Sequence, residues 1–257
     1  MRFRSFRRAV ALGFALAICI LCYWLERLRG QLTLERRARW LQGSARRLLA
    51  SLGIRSVVEG QPAANGLVVS NHLSYLDIAL FAAAMPCSFV SKIEVARWPY
   101  FGRAAQAGGT LFLDRSSHAS ATEVAAEMVK RLAFPVPILL FPEGTSTDGS
   151  TVLRFHSRLF HPATETAAPI TPAAIRYHFE DGTPERELCW YGDDGFLSHL
   201  WRVLGIAGFS AHIRFGRPMI YQDAREAAIE THEIVVAMRT QESPTGDRRA
   251  ESVELPT

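Results

Sequence analysis

The sequence has little cysteine, and its four cysteines are scattered along 257 residues. This number and distribution exclude a disulfide-stapled secreted scaffold and favour a reducing compartment. Cys19 and Cys22 have the spacing of a redox pair, but they lie in an uncharged apolar run where thiolates would be costly. We therefore expect these two cysteines to be inert packing residues.

Several functional motifs are also missing from the sequence. It contains no glycine-rich nucleotide loop, no Gly-x-Ser-x-Gly elbow, no internal repeat and no helix-turn-helix, zinc-finger or aromatic RNA-binding signature. Its histidines show no metal-ligand spacing. The net charge of +4, supplied mostly by arginine, suits an anionic membrane surface or a phosphorylated substrate as well as nucleic acid. With no recognition motif present, we expect neither a nucleic-acid partner nor a metal.

Hydrophobic residues are concentrated near the N-terminus. Four arginines precede a stretch, residues 9–25, that carries no charge and would span about 25 Å as a helix. A signal peptide has similar parts, but no small-x-small cleavage pattern follows. This stretch is therefore predicted to be an uncleaved membrane anchor, whose orientation is left open because arginines lie on both sides of it.

A second helical pattern follows the anchor. Its apolar residues fall on one stripe and its arginines on the opposite face, as in a basic amphipathic helix. Such a helix either packs on the protein's own core or lies among lipid headgroups with its arginines toward anionic lipid. In both cases we predict that residues 1–54 are membrane-attachment helices. The stripe consists of Leu34, Ala38, Leu41, Ala45, Leu48 and Leu52.

From residue 55 onward, short apolar runs alternate with helical patterns. This alternation predicts an α/β fold with a mostly parallel central sheet flanked by helices, over residues 55–240. Residues 241–257 are polar and without periodicity, which predicts a disordered tail. The predicted strands are 67–70, 88–92, 110–113, 137–141, 170–177, 188–191 and 211–215, and the predicted helices are 74–85, 99–107, 119–133, 195–204 and 224–239.

The stretch SNHLSYLDI, residues 70–78, places His72 five residues before Asp77 at the end of a predicted strand. On one continuous helix the two side chains would point about 140° apart. They meet if the strand ends near Ser70, a turn capped by Asn71 or Ser74 follows, and Asp77 sits in the first helical turn. A histidine held by a carboxylate can take a proton from a hydroxyl. Since no serine elbow exists, a substrate hydroxyl is the expected nucleophile.

Two further predicted strands end in polar residues. One leads into Asp114 and Arg115, and another into a loop that begins with Glu143, Gly144 and Thr145. In a parallel sheet these strand ends share one edge with His72, and ligands of open α/β sheets bind at that edge.

These stretches together resemble the lysophosphatidic acid acyltransferase family, the glycerolipid acyltransferases with an Asn-His-x4-Asp motif. Four blocks are similar in order: NHLSYLD at 71–77, FLDR at 112–115, FPEGT at 141–145 and APITPAAI at 168–175. The similarity covers about residues 55–220, and its first and third blocks are specific. Thr145 is followed by Ser146 where many relatives have arginine, which leaves the acceptor headgroup open.

The resemblance implies an acyl transfer with His72 as general base and Asp77 as the residue that orients it. The base would deprotonate the hydroxyl of a lysolipid, which attacks the thioester of acyl-CoA or acyl-carrier protein. No cofactor is implied beyond this co-substrate. The implied acceptor site comprises Arg115, which would hold a phosphate, together with Glu143, Gly144 and Thr145. Alternatively, Arg115 is a loop arginine paired with Asp114, and Glu143 is a plain turn residue.

The resemblance also implies a membrane lipid as acceptor and a membrane surface as partner. We expect 1-acyl-glycerol-3-phosphate as the acceptor and phosphatidic acid as the product. The thioester donor is cytoplasmic, so the catalytic domain should lie on the cytoplasmic face of the inner membrane. Alternatives are another lysolipid such as lyso-ornithine lipid, a non-catalytic lipid-binding protein, or a hydrolase that activates water.

Overall fold

A computed structural model describes residues 2–98, 101–114 and 116–241. Arg115, a predicted contact to the acceptor, lies outside the described residues. So does the predicted disordered tail apart from Gln241.

A seven-stranded sheet organises the fold, in the order β1-β7-β6-β2-β5-β3-β4. Neighbouring strands in this sheet are parallel except for the antiparallel pair of β6 and β7. The predicted α/β class with a mostly parallel sheet flanked by helices is confirmed. The strands are β1 (Arg55–Glu59), β2 (Leu67–Ser70), β3 (Ser88–Lys92), β4 (Leu111–Leu113), β5 (Ile138–Leu140), β6 (Ile170–His178) and β7 (Ser210–Phe215).

Helices cover both faces of the sheet. Buried residues of α2, α3 and α7 share one core with the sheet, and buried residues of α5, α6 and α8 share the other. The central strands β2 and β5 are therefore buried throughout and apolar except for Ser70, because a strand covered on both faces has no solvent side for alternating polar residues. The helices are α1 (Arg2–Leu28), α2 (Leu34–Leu52), α3 (Leu76–Ala84), α4 (Phe101–Ala107), α5 (His118–Leu132), α6 (His161–Glu165), α7 (Phe196–Gly205) and α8 (Ala224–Thr240).

Helix α2 begins and ends with local signals that the sequence carries. The Thr33 hydroxyl accepts a hydrogen bond from the Arg36 N–H, and Gly53 ends the helix in the left-handed region at φ 68°. Its apolar stripe packs against the protein, with Ala45 and Leu52 in the same core as α3. Of the two interpretations of this helix, packing on the protein's own core holds for the stripe.

Helix α1 lies along the rest of the protein and contacts both α2 and α7. Near its start, Arg4 and Arg8 donate to backbone carbonyls at residues 205–207, which end and follow α7. Further along, the Trp40 indole of α2 donates to the Cys19 carbonyl at 3.0 Å. One face of α1 is thus held from end to end.

The other face of α1 is apolar and exposed. By length and composition, Phe3–Leu28 is the one candidate membrane span among the described residues, with a mean hydropathy of 2.1 and 17% of the window buried. The exposed large residues of this helix are Phe3, Phe6, Val10, Phe14, Ile18, Ile20, Leu21, Trp24, Leu25 and Leu28.

The sequence interpretation is wrong for one strand and omits another. Residues 188–191 form no strand. Instead they follow a short 3₁₀ turn, Glu185–Glu187, and the Trp190 N–H donates to the Leu73 carbonyl at 2.8 Å. The omitted strand is β1 at the sheet edge, whose Val57 and Val58 are both exposed, so it carries no alternating pattern.

Candidate active site

The turn between β2 and α3 carries His72 and Asp77. Because β2 ends at Ser70 and α3 begins at Leu76, Asp77 falls in the first turn of the helix and faces back toward the strand end. The His72 Nδ1 and Asp77 Oδ2 atoms are 2.8 Å apart. The contact predicted from the sequence is present, and it leaves Nε2 as the ring nitrogen that can accept a proton from a substrate.

Asp77 is fully buried and its carboxylate organises the turn. Oδ2 also accepts hydrogen bonds from the N–H groups of Leu73, at 2.7 Å, and Ser74, at 3.0 Å. Oδ1 accepts one from the hydroxyl of Tyr177 in β6. One side chain therefore fixes both the backbone of the turn and the tautomer of His72, with the proton on Nδ1.

Asn71 supports the turn in a way that differs from the predicted helix cap. Its side-chain Nδ2 donates to the Ile175 carbonyl at 3.1 Å, and its Oδ1 accepts from the Ile175 N–H at 2.9 Å. Strands β2 and β6 are paired neighbours, so this buried amide continues their contact beyond the end of β2. Asn71 thus anchors the turn to the sheet and caps no helix.

The ring of His72 is held by stacking as well. It lies against Phe141, with ring centroids 4.1 Å apart and planes 12° from parallel, and 17% of the His72 side chain is exposed. A ring held by Asp77 on one edge and Phe141 on one face retains its orientation while its remaining edge stays accessible. This is the arrangement that general base catalysis requires.

Glu143 is brought to the same turn, and its carboxylate points into the protein. Oε1 accepts from the His72 N–H and Oε2 from the Leu153 N–H, both at 2.7 Å. Burial raises the pKa of Glu143 to about 7, although the two N–H groups favour the charged form. The residue is 4% exposed, so it braces the His72 backbone where the sequence interpretation had placed it in contact with the acceptor.

Comparisons with known proteins identify the family of this chain. An acyltransferase family model matches residues 55–176. Lyso-ornithine lipid O-acyltransferase of Pseudomonas aeruginosa is 37% identical over 245 residues, covering 94% of this chain and 93% of the relative. The chain belongs to the acyltransferase family. It is also 32% identical over 185 residues to 1-acyl-sn-glycerol-3-phosphate acyltransferase of Neisseria meningitidis, covering 70% of this chain and 72% of that protein.

A solved structure shows that the fold is shared. The crystal structure of the 1-acyl-sn-glycerophosphate (LPA) acyltransferase PlsC from Thermotoga maritima matches with a TM-score of 0.66 and 20% identity, over 93% of this chain and 99% of that one. This acyltransferase therefore has the fold of PlsC.

The loop after β5 supplies the other predicted residues of this acyltransferase. Gly144 is buried at φ 76°, a conformation that suits glycine, and Thr145 is exposed. The Gly144 N–H donates to the Phe141 carbonyl at 3.0 Å, so it is not free to stabilise an oxyanion. The Thr147 N–H donates to the His72 carbonyl at 3.0 Å. The loop is therefore bonded directly to the turn that carries His72 and Asp77.

The end of β4, which precedes Arg115, lies at the same edge of the sheet. Strand β4 is three positions from β2, or about 14 Å at the usual strand spacing. Asp114 accepts hydrogen bonds from the Ser116 N–H and hydroxyl, which hold the pKa of the Asp114 carboxyl below its usual range. Across the described ranges, no group of three or more His, Cys, Asp and Glu residues forms a metal site.

Two residues of the site carried no signal in the sequence. Tyr177 reaches Asp77 across 100 residues, a separation at which no local pattern exists. Trp190 lies beside the turn and joins an aromatic cluster with Tyr75, Trp98 and Phe196, in which ring centroids are 4.9 to 6.5 Å apart. This cluster is joined to the turn that carries His72 by the hydrogen bond from the Trp190 N–H to the Leu73 carbonyl.

Proposed function

We propose that this acyltransferase is membrane-bound and moves an acyl chain from acyl-CoA or acyl-carrier protein to the hydroxyl of a lysolipid. The observation that carries the proposal is the His72 Nδ1–Asp77 Oδ2 contact at the exit of a central strand. It supplies a general base, and the sequence contains no serine elbow that would supply a nucleophile of the protein's own.

The reaction follows from that geometry. His72 Nε2 takes the proton of the acceptor hydroxyl while the hydroxyl oxygen forms a bond to the thioester carbonyl carbon. Asp77 stabilises the imidazolium that results. The tetrahedral intermediate then breaks its carbon–sulfur bond, and the departing thiolate takes the proton back from His72. An ester and a free thiol are formed, and the enzyme returns to its starting state.

Two acceptors are candidates. A lyso-ornithine lipid is favoured because the Pseudomonas relative, whose name gives that activity, is similar along almost the whole chain, α1 and α2 included. Ser146, in place of the arginine that often follows this motif, fits an acceptor other than a phosphate ester. The second candidate is 1-acyl-glycerol-3-phosphate, the substrate named in the Neisseria relative. That acceptor would require Arg115 to bind its phosphate.

For the membrane, we propose that α1 lies in the cytoplasmic leaflet of the inner membrane. Contacts with α2 and α7 occupy one face of α1 along its length, which a helix crossing the bilayer would have to give up. Its exposed face is apolar enough to enter the hydrocarbon region. The active site would then face the lipid acceptor and the cytoplasmic thioester together. Protease protection of a C-terminal tag in inside-out vesicles would contradict this placement.

The decisive experiment incubates the purified full-length protein with radiolabelled acyl-CoA and with lyso-ornithine lipid or 1-acyl-glycerol-3-phosphate in separate reactions. A labelled two-chain lipid is expected. His72→Ala should lower its formation by about 10² to 10⁴-fold, the usual contribution of a general base, with an unchanged melting temperature. Labelled free fatty acid in place of the two-chain lipid would make the protein a hydrolase. Lipid binding without turnover, unaffected by His72→Ala, would make it a binding protein.

A further inference from the structure

Tyr177 lies directly behind the catalytic pair. It is 5% exposed, and its hydroxyl donates to Asp77 Oδ1, the carboxylate oxygen that faces away from His72. In the described part of the chain, Tyr177 is the hydrogen-bond donor to this oxygen, whereas the other three donors to Asp77 meet Oδ2. A buried carboxylate is costly unless its oxygens are bonded, and the tyrosine hydroxyl supplies that bond to Oδ1.

Contacts with Glu185 and Phe209 fix the position of Tyr177. Its N–H donates to Glu185 Oε1 at 2.7 Å, and Glu185 Oε2 pairs with Arg239 of α8 at 2.8 Å. Its ring packs edge-on against Phe209, with centroids 5.8 Å apart. Tyr177 therefore acts at a set distance from Asp77, and it is too deeply buried to touch the acceptor or the thioester.

We propose that Tyr177 is a positioning residue of the acyl-transfer step, which sets the proton affinity of the His72–Asp77 pair by donating to the far oxygen of Asp77. This inference rests on the proposed function of His72 as the base. The hydroxyl remains a donor over the working range, because burial and the neighbouring Asp77 raise the pKa of Tyr177 well above its usual value.

The direction in which loss of the Tyr177 hydroxyl shifts the pH profile follows from the protonation state in which His72 is active. His72 must be neutral before it can take the acceptor proton, and Asp77 stabilises its protonated form. Without the Tyr177 hydroxyl, Asp77 holds more of its negative charge toward His72, so the pair keeps a proton more tightly. The acidic limb of the activity profile should then move to higher pH.

Other titratable groups surround the pair and are common to all variants. Glu143 contacts the His72 backbone. Cys189 and Glu185 face Tyr177 from the turn after β6, and Glu185 is paired with Arg239 of α8. Burial raises the pKa of the Cys189 thiol, which keeps that thiol neutral. A difference between wild type and a Tyr177 variant therefore reports the tyrosine itself.

The test compares Tyr177→Phe with Tyr221→Phe. Tyr221 is a matched control, because it is also buried but contributes to the other core, where its hydroxyl donates to the Met219 sulfur. In the Tyr177 variant we expect the acidic limb to rise by about one pH unit, kcat at pH 7 to fall by up to about tenfold and KM to change less than about twofold, as for the loss of a hydrogen bond to a charged group. The control should leave all three unchanged.

A second measurement does not depend on activity. The nitrogen resonances of His72, assigned with a His72→Gln variant, are titrated in the ligand-free protein in detergent. Tyr177→Phe should raise the apparent pKa of His72. 3-Fluorotyrosine at position 177 preserves the packing and provides a stronger donor, so it should shift the titration to lower pH. If Tyr177→Phe does not fold, the 3-fluorotyrosine variant alone tests the proposal.

The outcomes separate the two proposals. An unchanged His72 titration and an unchanged acidic limb, in an active enzyme, would overturn the role of Tyr177. So would equal effects of Tyr177→Phe and Tyr221→Phe. A shifted titration in a protein that transfers no acyl chain to any lysolipid would support the coupling and refute the proposed function.

Discussion

Glu143 is expected to make the stability of this acyltransferase depend on pH, and Glu143→Gln should remove that dependence. Burial raises the pKa of Glu143 from its ordinary value of 4.5 to about 7 in the folded protein. Between these two pH values the folded protein holds a proton that the unfolded chain has released. The free energy of unfolding therefore falls as the pH rises through this window.

The size of the effect follows from the same two values. At 1.36 kcal/mol for each pH unit, the interval amounts to about 3 kcal/mol of stability that is present at low pH and lost above pH 7. Glutamine stays neutral, but its amide can accept from only one of the two N–H groups, those of His72 and Leu153. The other N–H group is left without its partner, at a cost of about 1–3 kcal/mol.

These two contributions predict that the wild type and Glu143→Gln exchange their order of stability, or become equally stable, between pH 5 and pH 8. At pH 5 the wild type should be more stable than Glu143→Gln by about 1–3 kcal/mol, and at pH 8 the difference should vanish or reverse. Urea unfolding in a nonionic detergent, followed by tryptophan fluorescence at both pH values, measures this difference in the free energy of unfolding. Glu127→Gln, at a half-exposed position on α5, is the control and should track the wild type. A difference between wild type and Glu143→Gln that is the same at pH 5 and pH 8 would refute the reasoning.

Three further predictions concern the turn, the strand before it and helix α1. Asn71→Leu should destabilise the protein by about 2 kcal/mol and lower activity, because the buried N–H of Ile175 loses its acceptor, as chemical denaturation and turnover would show. Gly66→Ala should prevent folding or lower the melting temperature sharply, since a Cβ there would lie 2.2 Å from the Pro169 carbonyl oxygen at a φ of +78°. Phe14→Asp, on the exposed face of α1, should shift the protein from vesicles to the soluble fraction in a flotation assay.

Each of these predictions has a comparison that would contradict it. Asn71→Asp keeps the acceptor for the Ile175 N–H, so it should fold better than Asn71→Leu, and equal losses would argue against the hydrogen bond as the cause. Ile229→Asp alters an equally apolar exposed position on α8, away from α1, and should leave flotation unchanged. Normal melting of Gly66→Ala would mean that the backbone at Pro169 adjusts to the added methyl group.

The sequence predicted those parts of the site that depend on neighbours along the chain. The His72–Asp77 contact follows from a strand end, a short turn and a helix start, all within nine residues, and each has its own local signal. Parallel pairing then placed the end of β5, with Glu143, at the same edge. Residues 188–191 resemble a strand for a local reason too, since they are apolar, but Leu188 and Cys189 are buried in the core without strand pairing and the Trp190 N–H donates to the Leu73 carbonyl in the turn.

What the sequence did not predict depends on contacts between distant segments. No composition or spacing relates Tyr177 to Asp77, because β6 reaches β2 only after the sheet is assembled. The sequence also does not predict that the Glu143 side chain points inward, for a similar reason. A glutamate after a strand is usually solvated, and only the approach of the backbone at Leu153 gives its second oxygen a buried donor. Polar residues in such positions need the fold before their direction can be known.

Helices α1 and α2 share one core with the turn that carries His72 and Asp77, which would link the proposed membrane attachment to the chemistry. Leu12 of α1, Leu49 of α2 and Leu76 of α3 belong to the same buried cluster, and Leu76 is the residue next to Asp77. We therefore expect a change at α1 to reach, through packed side chains, the helix that carries the carboxylate. Removing α1 should then expose the apolar face of α2 and loosen the turn, so it should lower turnover toward detergent-dispersed acceptor as well as membrane binding. Full turnover by a protein without residues 1–30 would show that α1 serves attachment alone.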